Sequence, residues 1–294
     1  MILITGAPGK IGKRTAELLA HQGYSLRLMV RDAHRAPQLP LSQIIEGDYA
    51  QPATLDAAFA QVDTALIISG YAEPGERALL HKNAIDAAVR AQVKHLVYLS
   101  FQGASPDSKF PMSRDHDQTE QFLQESGIPF TALRDNFYLD LIPEMFNTEG
   151  IMRGSAGDGA VAWVAREDVS RLAATLLSRP GDFAGTYNVT GLESLTLSET
   201  AARLSALCGR SLLYEPESLE AGRKWRSMFG APDWEVETWL GSYEAIAAGE
   251  VAQPSDTILR LTGTQPFSLE AYFTEYPHLL NPLRRSSIGE TTSS

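Results

Sequence analysis

The sequence is short of cysteine and of long hydrophobic runs, and both shortages narrow the class of protein. Its single cysteine, Cys208, cannot form an intramolecular disulfide, and its apolar neighbours predict a small buried side chain. No apolar run approaches the roughly 20 residues that a membrane-spanning helix needs. Met1 leads directly into an apolar strand pattern, unlike the charged start of a signal peptide. We therefore expect a cytoplasmic protein with no membrane partner.

Basic residues are outnumbered by acidic ones. The chain has 25 Lys and Arg against 36 Asp and Glu, which gives a formal net charge of -11. A surface of this sign repels polyphosphate backbones, and no run of Lys and Arg offsets the repulsion, so we expect no nucleic-acid partner. The sequence also has no cluster of side chains at metal-ligand spacing, and no metal site is predicted.

Strand-like and helix-like segments alternate through the first half of the chain. Six short apolar segments have strand character: Ile2–Ile4, Leu26–Val30, 44–46, 65–68, 96–99 and 130–133. Helical spacing of apolar residues separates several of them. Apolar strands that alternate with helices are typical of an α/β fold with a doubly wound parallel sheet, whose ligands bind at the carboxyl ends of the strands.

This alternation stops after Arg134. The four glycines of 150–159 favour an irregular connection, Thr196 and Glu199 have capping-box spacing at the start of a helix, and 217–249 is helix-like. We predict a cofactor-binding domain over 1–135 to which 155–190 returns. The remainder is predicted as a smaller, mainly helical substrate-side region of 136–154 and 191–280, followed by a disordered tail over 282–294.

A glycine-rich turn follows the first strand directly and leads into the first helix. Its residues are Gly6, Ala7, Pro8, Gly9, Lys10, Ile11 and Gly12. Glycines at this spacing permit a tight turn, close approach of backbone N–H groups to a pyrophosphate, and packing of the helix on the strand. The strand–turn–helix context favours a Rossmann dinucleotide-binding unit over a plain glycine-rich turn.

The end of the second strand bears on the choice of cofactor. An acidic residue such as Asp32 binds the ribose hydroxyls of NAD, whereas an arginine such as Arg31 suits a 2′-phosphate. With Arg31 in the decisive place and Lys10 as a second positive charge, NADP(H) is favoured over NAD(H). The alternative for Arg31 is a solvated surface charge.

Two further strand ends supply candidate cofactor contacts. Asp48 and Tyr49 follow the third strand and are expected near the adenine. Ser69 and Gly70 follow the fourth strand and are expected near the nicotinamide-side phosphate and ribose. Ordinary polarity at strand ends is the alternative interpretation of both pairs.

Four later segments, together with the glycine turn and Arg31, carry a resemblance to a known family. The segments are EGDY at 46–49, VKHLVY at 93–98, SGIPFT at 126–131 and LRDNFY at 133–138. From Met1 to about Phe273 the chain resembles the NmrA-like, atypical short-chain dehydrogenase/reductases, most closely their quinone oxidoreductase and triphenylmethane reductase members. The resemblance implies NADPH binding. Some members reduce quinones or cationic dyes, whereas others are redox sensors without turnover.

The chain lacks the acid pair of ordinary short-chain dehydrogenases. Those enzymes carry Tyr-x-x-x-Lys after the fifth strand, and the tyrosine protonates a carbonyl substrate. At that spacing this chain has His116 and Glu120. Ketone reduction and sugar epimerisation are therefore not expected, whereas a quinone or a delocalised cation makes less demand on a proton donor. His116 either orients or protonates the substrate, or is a helix-surface histidine paired with Glu120.

A substrate pocket is predicted from side chains that follow the fifth and sixth strands. Phe101 and Gln102 are expected to face the nicotinamide, which the backbone at Asn136 helps to hold. Phe137 and Tyr138 either stack on a flat ring or pack between the two regions. Three tryptophans of the helical region line this pocket or, as we favour, fill the core: Trp225, Trp234 and Trp239.

Together these features predict an NADPH-dependent reductase. Hydride is expected to pass directly to a quinone or a similar flat conjugated acceptor, without flavin or metal. A non-catalytic NADP(H)-sensing regulatory protein is the alternative. Reductases of this kind are often homodimers, but no interface stripe stands out in the sequence.

Overall fold

The computed structural model describes residues 1–284, and a seven-stranded parallel sheet lies at its centre. The strands, in chain order, are β1 (Ile2–Ile4), β2 (Leu26–Val30), β3 (Ser42–Glu46), β4 (Thr64–Ile67), β5 (His95–Phe101), β6 (Phe130–Asp135), β7 (Ile151–Gly154), β8 (Ala160–Val161), β9 (Gly185–Asn188), β10 (Leu195–Thr196) and β11 (Leu213–Pro216). The order within the central sheet is β3-β2-β1-β4-β5-β6-β9. The predicted doubly wound sheet is thus confirmed.

Helices cover both faces of this sheet and form much of the remainder. The α-helices are α1 (Lys10–His21), α2 (Pro52–Phe59), α3 (Glu76–Arg90), α4 (Pro111–Glu125), α5 (Arg166–Leu177), α6 (Leu197–Cys208), α7 (Leu219–Arg226), α8 (Asp233–Ala247), α9 (Thr257–Thr262), α10 (Leu269–Glu275) and α11 (Asn281–Arg284). The predicted capping box of Thr196 and Glu199 is present at the start of α6. No helix within residues 1–284 is long and apolar enough to cross a membrane.

Side chains along the buried strands alternate between two apolar cores, one on each face of the sheet. Ile4 and Leu133 point into the core that α1 and α5 cover, whereas Leu3 and Tyr98 point into the core beneath α2, α3 and α4. Successive side chains of a strand face opposite sides of a sheet. A strand that is covered on both faces is therefore a continuous apolar run in the sequence. This explains why β1, β4 and β5 are buried throughout.

The glycine turn sets the position of α1. Gly6 adopts a φ of 57°, in the left-handed region, and a Cβ on Gly12 would lie 2.4 Å from the carbonyl oxygen of Gly6. Only glycine permits that approach between the helix and the turn. The first turn of α1 is thereby held over the carboxyl end of β1, at the edge of the sheet where ligands of this fold bind.

Two predictions about the second half are wrong. The segment 150–159 is not an irregular connection throughout, because it contains β7, which pairs in parallel with β11 some sixty positions away. Composition within the segment gives no sign of so distant a partner. The predicted tail also begins too early, since Pro282 to Arg284 lie in α11 and Leu283 is buried. Residues 285–294 lie outside the described part of the chain.

A third apolar core lies on the side of β7, β8 and α6. It contains Met152, Trp163, Leu204 and Phe273. Cys208, at the end of α6, is half-buried against this core. The division into two domains drawn from the sequence stays a prediction.

The core interpretation of the tryptophans is wrong for two of the three. Trp225 and Trp239 are 50% and 37% exposed, on either side of the exposed Phe229 between α7 and α8. Trp234 is half-buried, and its ring centroid lies 5.3 Å from that of Tyr71. Helical spacing alone does not separate an outward-facing aromatic from a packed one.

Candidate functional site

A cavity of about 430 Å³ lies where the carboxyl ends of β1 to β4 meet. Most of the residues that line it lie in the four loops that follow these strands, and the others belong to the end of β2 and to α3. The lining residues are Gly6, Pro8, Gly9, Met29, Val30, Arg31, Asp32, Arg35, Gly47, Asp48, Tyr49, Ile68, Ser69, Gly70, Tyr71 and Leu80. The structure therefore brings together the glycine turn and three strand ends that the sequence indicated.

The glycine turn presents backbone to this cavity. Gly9 is the N-cap of α1, and within the described chain no side chain caps the helix. The N–H groups of the first helical turn therefore remain available to an anion, which the helix dipole also favours. Ala7, Ile11 and Gly12 lie behind the cavity wall, because Ala7 and Ile11 belong to the core beneath α1 and Gly12 packs against Gly6.

Two arginines stand at the rim beyond β2. Arg31 and Arg35 are exposed, and neither guanidinium forms an ion pair or hydrogen bond within residues 1–284. The carboxylate of Asp32 instead accepts a hydrogen bond from the N–H of His34 at 2.9 Å and so caps the short 3₁₀ turn that carries Arg35. The sequence reasoning missed Arg35, which ends the 3₁₀ turn just after Arg31 and Asp32.

Lys10 is directed away from this rim. Its Nζ lies 2.9 Å from a carboxylate oxygen of Asp140, which also forms an ion pair with Arg166. The lysine charge is therefore already partnered outside the cavity lining. In the described chain the second guanidinium at the rim is Arg35, in the place for which the sequence suggested Lys10.

Tyr49 anchors the middle of the cavity wall. Its hydroxyl donates to Thr5 Oγ1 at 2.6 Å, and the carbonyl oxygen of Ile68 lies 3.2 Å from the same hydroxyl oxygen. Burial raises the pKa of Tyr49 well above its ordinary value, so the phenol stays neutral. The neighbouring Asp48 uses Oδ1 to accept the N–H of Ala50. These contacts fix the loop after β3 against the ends of β1 and β4.

Gly70 is held from behind by two buried side chains that the sequence reasoning missed. Its N–H donates to His81 Nε2 and its carbonyl accepts from Arg77 Nε, both at 2.9 Å. His81 and Arg77 lie on α3 and are 0% and 5% exposed. A histidine and an arginine on an amphipathic helix resemble surface residues in a sequence, so the only signal was their position just after a cavity loop.

The helix-surface interpretation of His116 is wrong. His116 is 5% exposed, and its Nε2 and Nδ1 lie 2.7 Å from Arg77 Nη2 and 2.8 Å from the Tyr98 hydroxyl. Glu120 is paired with Arg134 instead. Burial, reinforced by the charge of Arg77, lowers the pKa of His116 well below its ordinary value, so the ring is neutral. A role for His116 in the chemistry stays a prediction.

Phe101 and Phe137 meet in an aromatic cluster outside the cavity lining, in which Phe101 is buried and Phe137 is half-buried. Their ring centroids are 5.1 Å apart, and Phe110 packs against both. Gln102 and Asn136 lie beside them and are joined by a hydrogen bond of 2.7 Å. The structure thus brings together four residues predicted near the nicotinamide, at the ends of β5 and β6, next to but not lining the cavity.

Tyr138 points away from its neighbour Phe137. Its hydroxyl is hydrogen-bonded to a carboxyl oxygen of Asp135, and the guanidinium carbon of Arg166 lies 4.2 Å from the centroid of the Tyr138 ring. Burial raises the pKa of Asp135 to about 8. Phe137 and Tyr138 therefore do not form one stacking surface, because they follow the strand on opposite sides.

Comparison with known proteins agrees with this geometry. A family model described as NAD(P)H-binding matches residues 6–180. An NAD(P)H azoreductase of Xenophilus azovorans is 30% identical over 90% of this chain and 93% of its own length. The solved structure of a quinone oxidoreductase of Escherichia coli complexed with NADPH is 30% identical, with a TM-score of 0.85 over 96% of this chain and 100% of that one. A triphenylmethane reductase of Citrobacter sp. is 30% identical, with a TM-score of 0.82 over 93% of this chain and 98% of its own.

Proposed function

The chain belongs to the NAD(P)H-binding family, and on this premise we propose that it is an NADPH-dependent reductase of quinones or similar flat conjugated acceptors. Its classification as an NAD(P)H-dependent oxidoreductase rests on relatives that match at least nine-tenths of the chain. The resemblance to quinone oxidoreductases and triphenylmethane reductases noted in the sequence is confirmed. The choice of NADPH, the acceptor and the direct transfer of hydride are the proposal.

The observation that carries the choice of NADPH is a pair of guanidinium groups at the cavity rim that have no partner among residues 1–284. Arg31 and Arg35 both line the cavity beyond β2, and the nearby carboxylates of Asp32 and Glu46 accept backbone N–H groups of His34 and Ala33. Guanidinium groups bind phosphate oxygens through paired, charge-assisted hydrogen bonds. In the proposal they bind the 2′-phosphate that distinguishes NADPH from NADH.

The rest of the cavity fits the remaining parts of such a cofactor. We assign the pyrophosphate to the turn at Gly6 and Gly9 and to the N-terminus of α1, where a Cβ on Gly12 would collide with the turn. Asp48 and Tyr49 take the adenine side, and Ser69 and Gly70 take the ribose nearer the nicotinamide. When bound, the reduced nicotinamide supplies a hydride for the acceptor.

The names of the relatives and the burial of His116 both favour a conjugated acceptor. The related enzymes are named for azo compounds, quinones and triphenylmethane dyes, which share an extended conjugated π-system. His116 is neutral and accepts a hydrogen bond from Arg77, so it is a poor acid for protonating a simple ketone. An acceptor that spreads the incoming charge, and takes its proton from water, suits this site. The proposal includes neither flavin nor metal.

NADPH oxidation by the purified protein tests the proposal. The acceptors are a panel of quinones, azo dyes and triphenylmethane dyes, with NADH in parallel assays. We expect turnover with NADPH and at least one acceptor, and much less with NADH. Tight NADPH binding with no turnover on any acceptor would contradict the reductase proposal and favour the NADP(H)-sensing alternative.

A further inference from the structure

The peptide of Gly70 is fixed to the protein interior through both of its polar groups. The N–H binds His81 and the carbonyl binds Arg77, whereas Gly70 itself lines the cavity. The adjacent Ser69 forms no hydrogen bond with any residue of the described chain. The N–H and carbonyl of Gly70 therefore face the interior, and Ser69 remains available to a ligand on the cavity side.

The hydrogen-bond partners of His81 and His116 determine which ring nitrogen of each histidine carries the proton. Arginine has no acceptor, so Arg77 Nη2 donates to His116 Nε2, and His116 Nδ1 must carry the proton that it donates to Tyr98. The N–H of Gly70 likewise donates to His81 Nε2. His81 Nδ1 then donates to Thr119 Oγ1 at 2.9 Å. Both rings are neutral acceptors toward the group they hold in place.

Arg77 connects the cavity loop to the start of α4. Besides Gly70, its guanidinium donates to the carbonyl oxygen of Met112 at 3.2 Å and to His116 at 2.7 Å, and Asp115 lies 3.8 Å away. The other oxygen of Asp115 accepts the N–H of Gly75 at 2.8 Å. A planar group with several fixed donor directions makes these contacts at once, whereas a lysine ammonium cannot reach them all.

We propose that Arg77, supported by His81 and His116, is the positioning residue that sets the Ser69–Gly70 wall for cofactor binding. The inference rests on the proposed function, in that the cavity is taken to hold NADPH. Arg77 itself is covered by the loop and acts only through Gly70. Its loss should therefore weaken NADPH binding and leave the rate at saturating cofactor nearly unchanged.

Four variants separate positioning from general stability. Arg77→Lys keeps the charge and loses the simultaneous contacts. His116→Gln keeps an acceptor for Arg77, and His116→Leu removes it. Arg90→Lys is the matched control, because Arg90 lies on the same helix and its side chain, within the described chain, forms only an exposed ion pair with Asp56. The readouts are the dissociation constant for NADPH without acceptor, hydrogen exchange of the Gly70 amide, and KM against kcat.

We expect Arg77→Lys and His116→Leu to weaken NADPH binding about tenfold, which corresponds to about 1.4 kcal/mol. The KM for NADPH should rise in parallel, kcat should stay within about twofold, and the Gly70 amide should exchange faster. His116→Gln and Arg90→Lys should behave like the wild-type protein.

Two results overturn the inference. One is unchanged NADPH affinity and Gly70 exchange in both Arg77→Lys and His116→Leu, and the other is a loss of kcat at unchanged affinity. If Arg77→Lys does not fold, the two His116 variants decide, since equal affinities in them contradict a positioning role. Failure of the wild-type protein to reduce any acceptor overturns the proposed function instead, because binding and exchange are measured without an acceptor.

Discussion

The carboxylate of Glu120 on α4 accepts two hydrogen bonds from the guanidinium of Arg134 on β6, at 2.9 and 2.7 Å. The hydroxyl of Ser100 donates to the same carboxylate at 2.5 Å. The hydrogen bonds from Arg134 to Glu120 raise the pKa of Arg134 above its ordinary value. Glu120 is thereby fully engaged one helical turn after His116, whose ring turns instead to Arg77 and Tyr98.

Replacing Glu120 by Gln should destabilise the protein, because Arg134 would keep its charge in a half-buried place without a counter-ion. We expect the free energy of unfolding in urea to fall by about 1–3 kcal/mol. Glu237→Gln is the control, since its ion pair with Arg223 is about half exposed on both sides and such pairs contribute only about 0–1 kcal/mol. Equal effects of the two substitutions would contradict the assignment.

The cavity residues that follow strand ends could be predicted from the sequence. Gly9, Arg31, Asp48 and Ser69 each follow an apolar strand within a few residues, and the carboxyl ends of parallel strands meet at one edge of a sheet. Alternation and turn chemistry are local signals, so they located β1 to β6 and the glycine turn but not β7, which pairs with β11 about sixty positions away. The same reasoning did not require any knowledge of how the helices pack.

The support behind the cavity was not predictable, because it depends on packing between helices. Arg77 meets His116 only because α3 and α4 lie side by side on one face of the sheet, and the two residues are 39 positions apart. His116 was paired with Glu120 from their spacing of four residues, but Arg134 on β6 binds that carboxylate. Local spacing gives candidate partners, and tertiary packing selects among them.

Arg31→Ala should reduce the use of NADPH and leave the use of NADH unchanged. Losing a charge-assisted hydrogen bond to a phosphate removes about 1.5–3 kcal/mol, or about 10- to 150-fold in kcat/KM for NADPH. Arg35→Ala should show the same selectivity, and Arg90→Ala, which is remote from the cavity, should change neither cofactor. A parallel loss with NADPH and NADH would show that Arg31 does not bind the 2′-phosphate.

Asp135→Asn should change how stability depends on pH between about 4 and 8. The folded pKa of Asp135 is about 8, above the ordinary 3.8, so the folded protein retains a proton that the unfolded chain releases. The wild-type protein should therefore lose stability relative to the variant as pH rises through this range. Urea unfolding of both proteins at pH 5, 6, 7 and 8 measures the difference, and a constant difference would sink the prediction.

His116→Gln should reduce the loss of stability on the acid side. The pKa of His116 is well below its ordinary value because the ring is buried and faces the positive charges of Arg77 and Arg134. Below a pH of about 6.5 the unfolded chain takes up a proton that the folded protein excludes, so the free energy of unfolding decreases as the pH decreases. Above that pH the contribution of His116 to stability is fully retained.

Glutamine does not titrate and keeps an acceptor for Arg77, so the variant should retain its stability better than the wild-type protein between about pH 6.5 and 5. Urea unfolding of both proteins at half-unit pH steps measures the two slopes. Identical slopes for His116→Gln and the wild-type protein would mean that His116 takes up its proton equally in both states. The assignment of a neutral His116 ring that accepts the hydrogen bond from Arg77 would then be wrong.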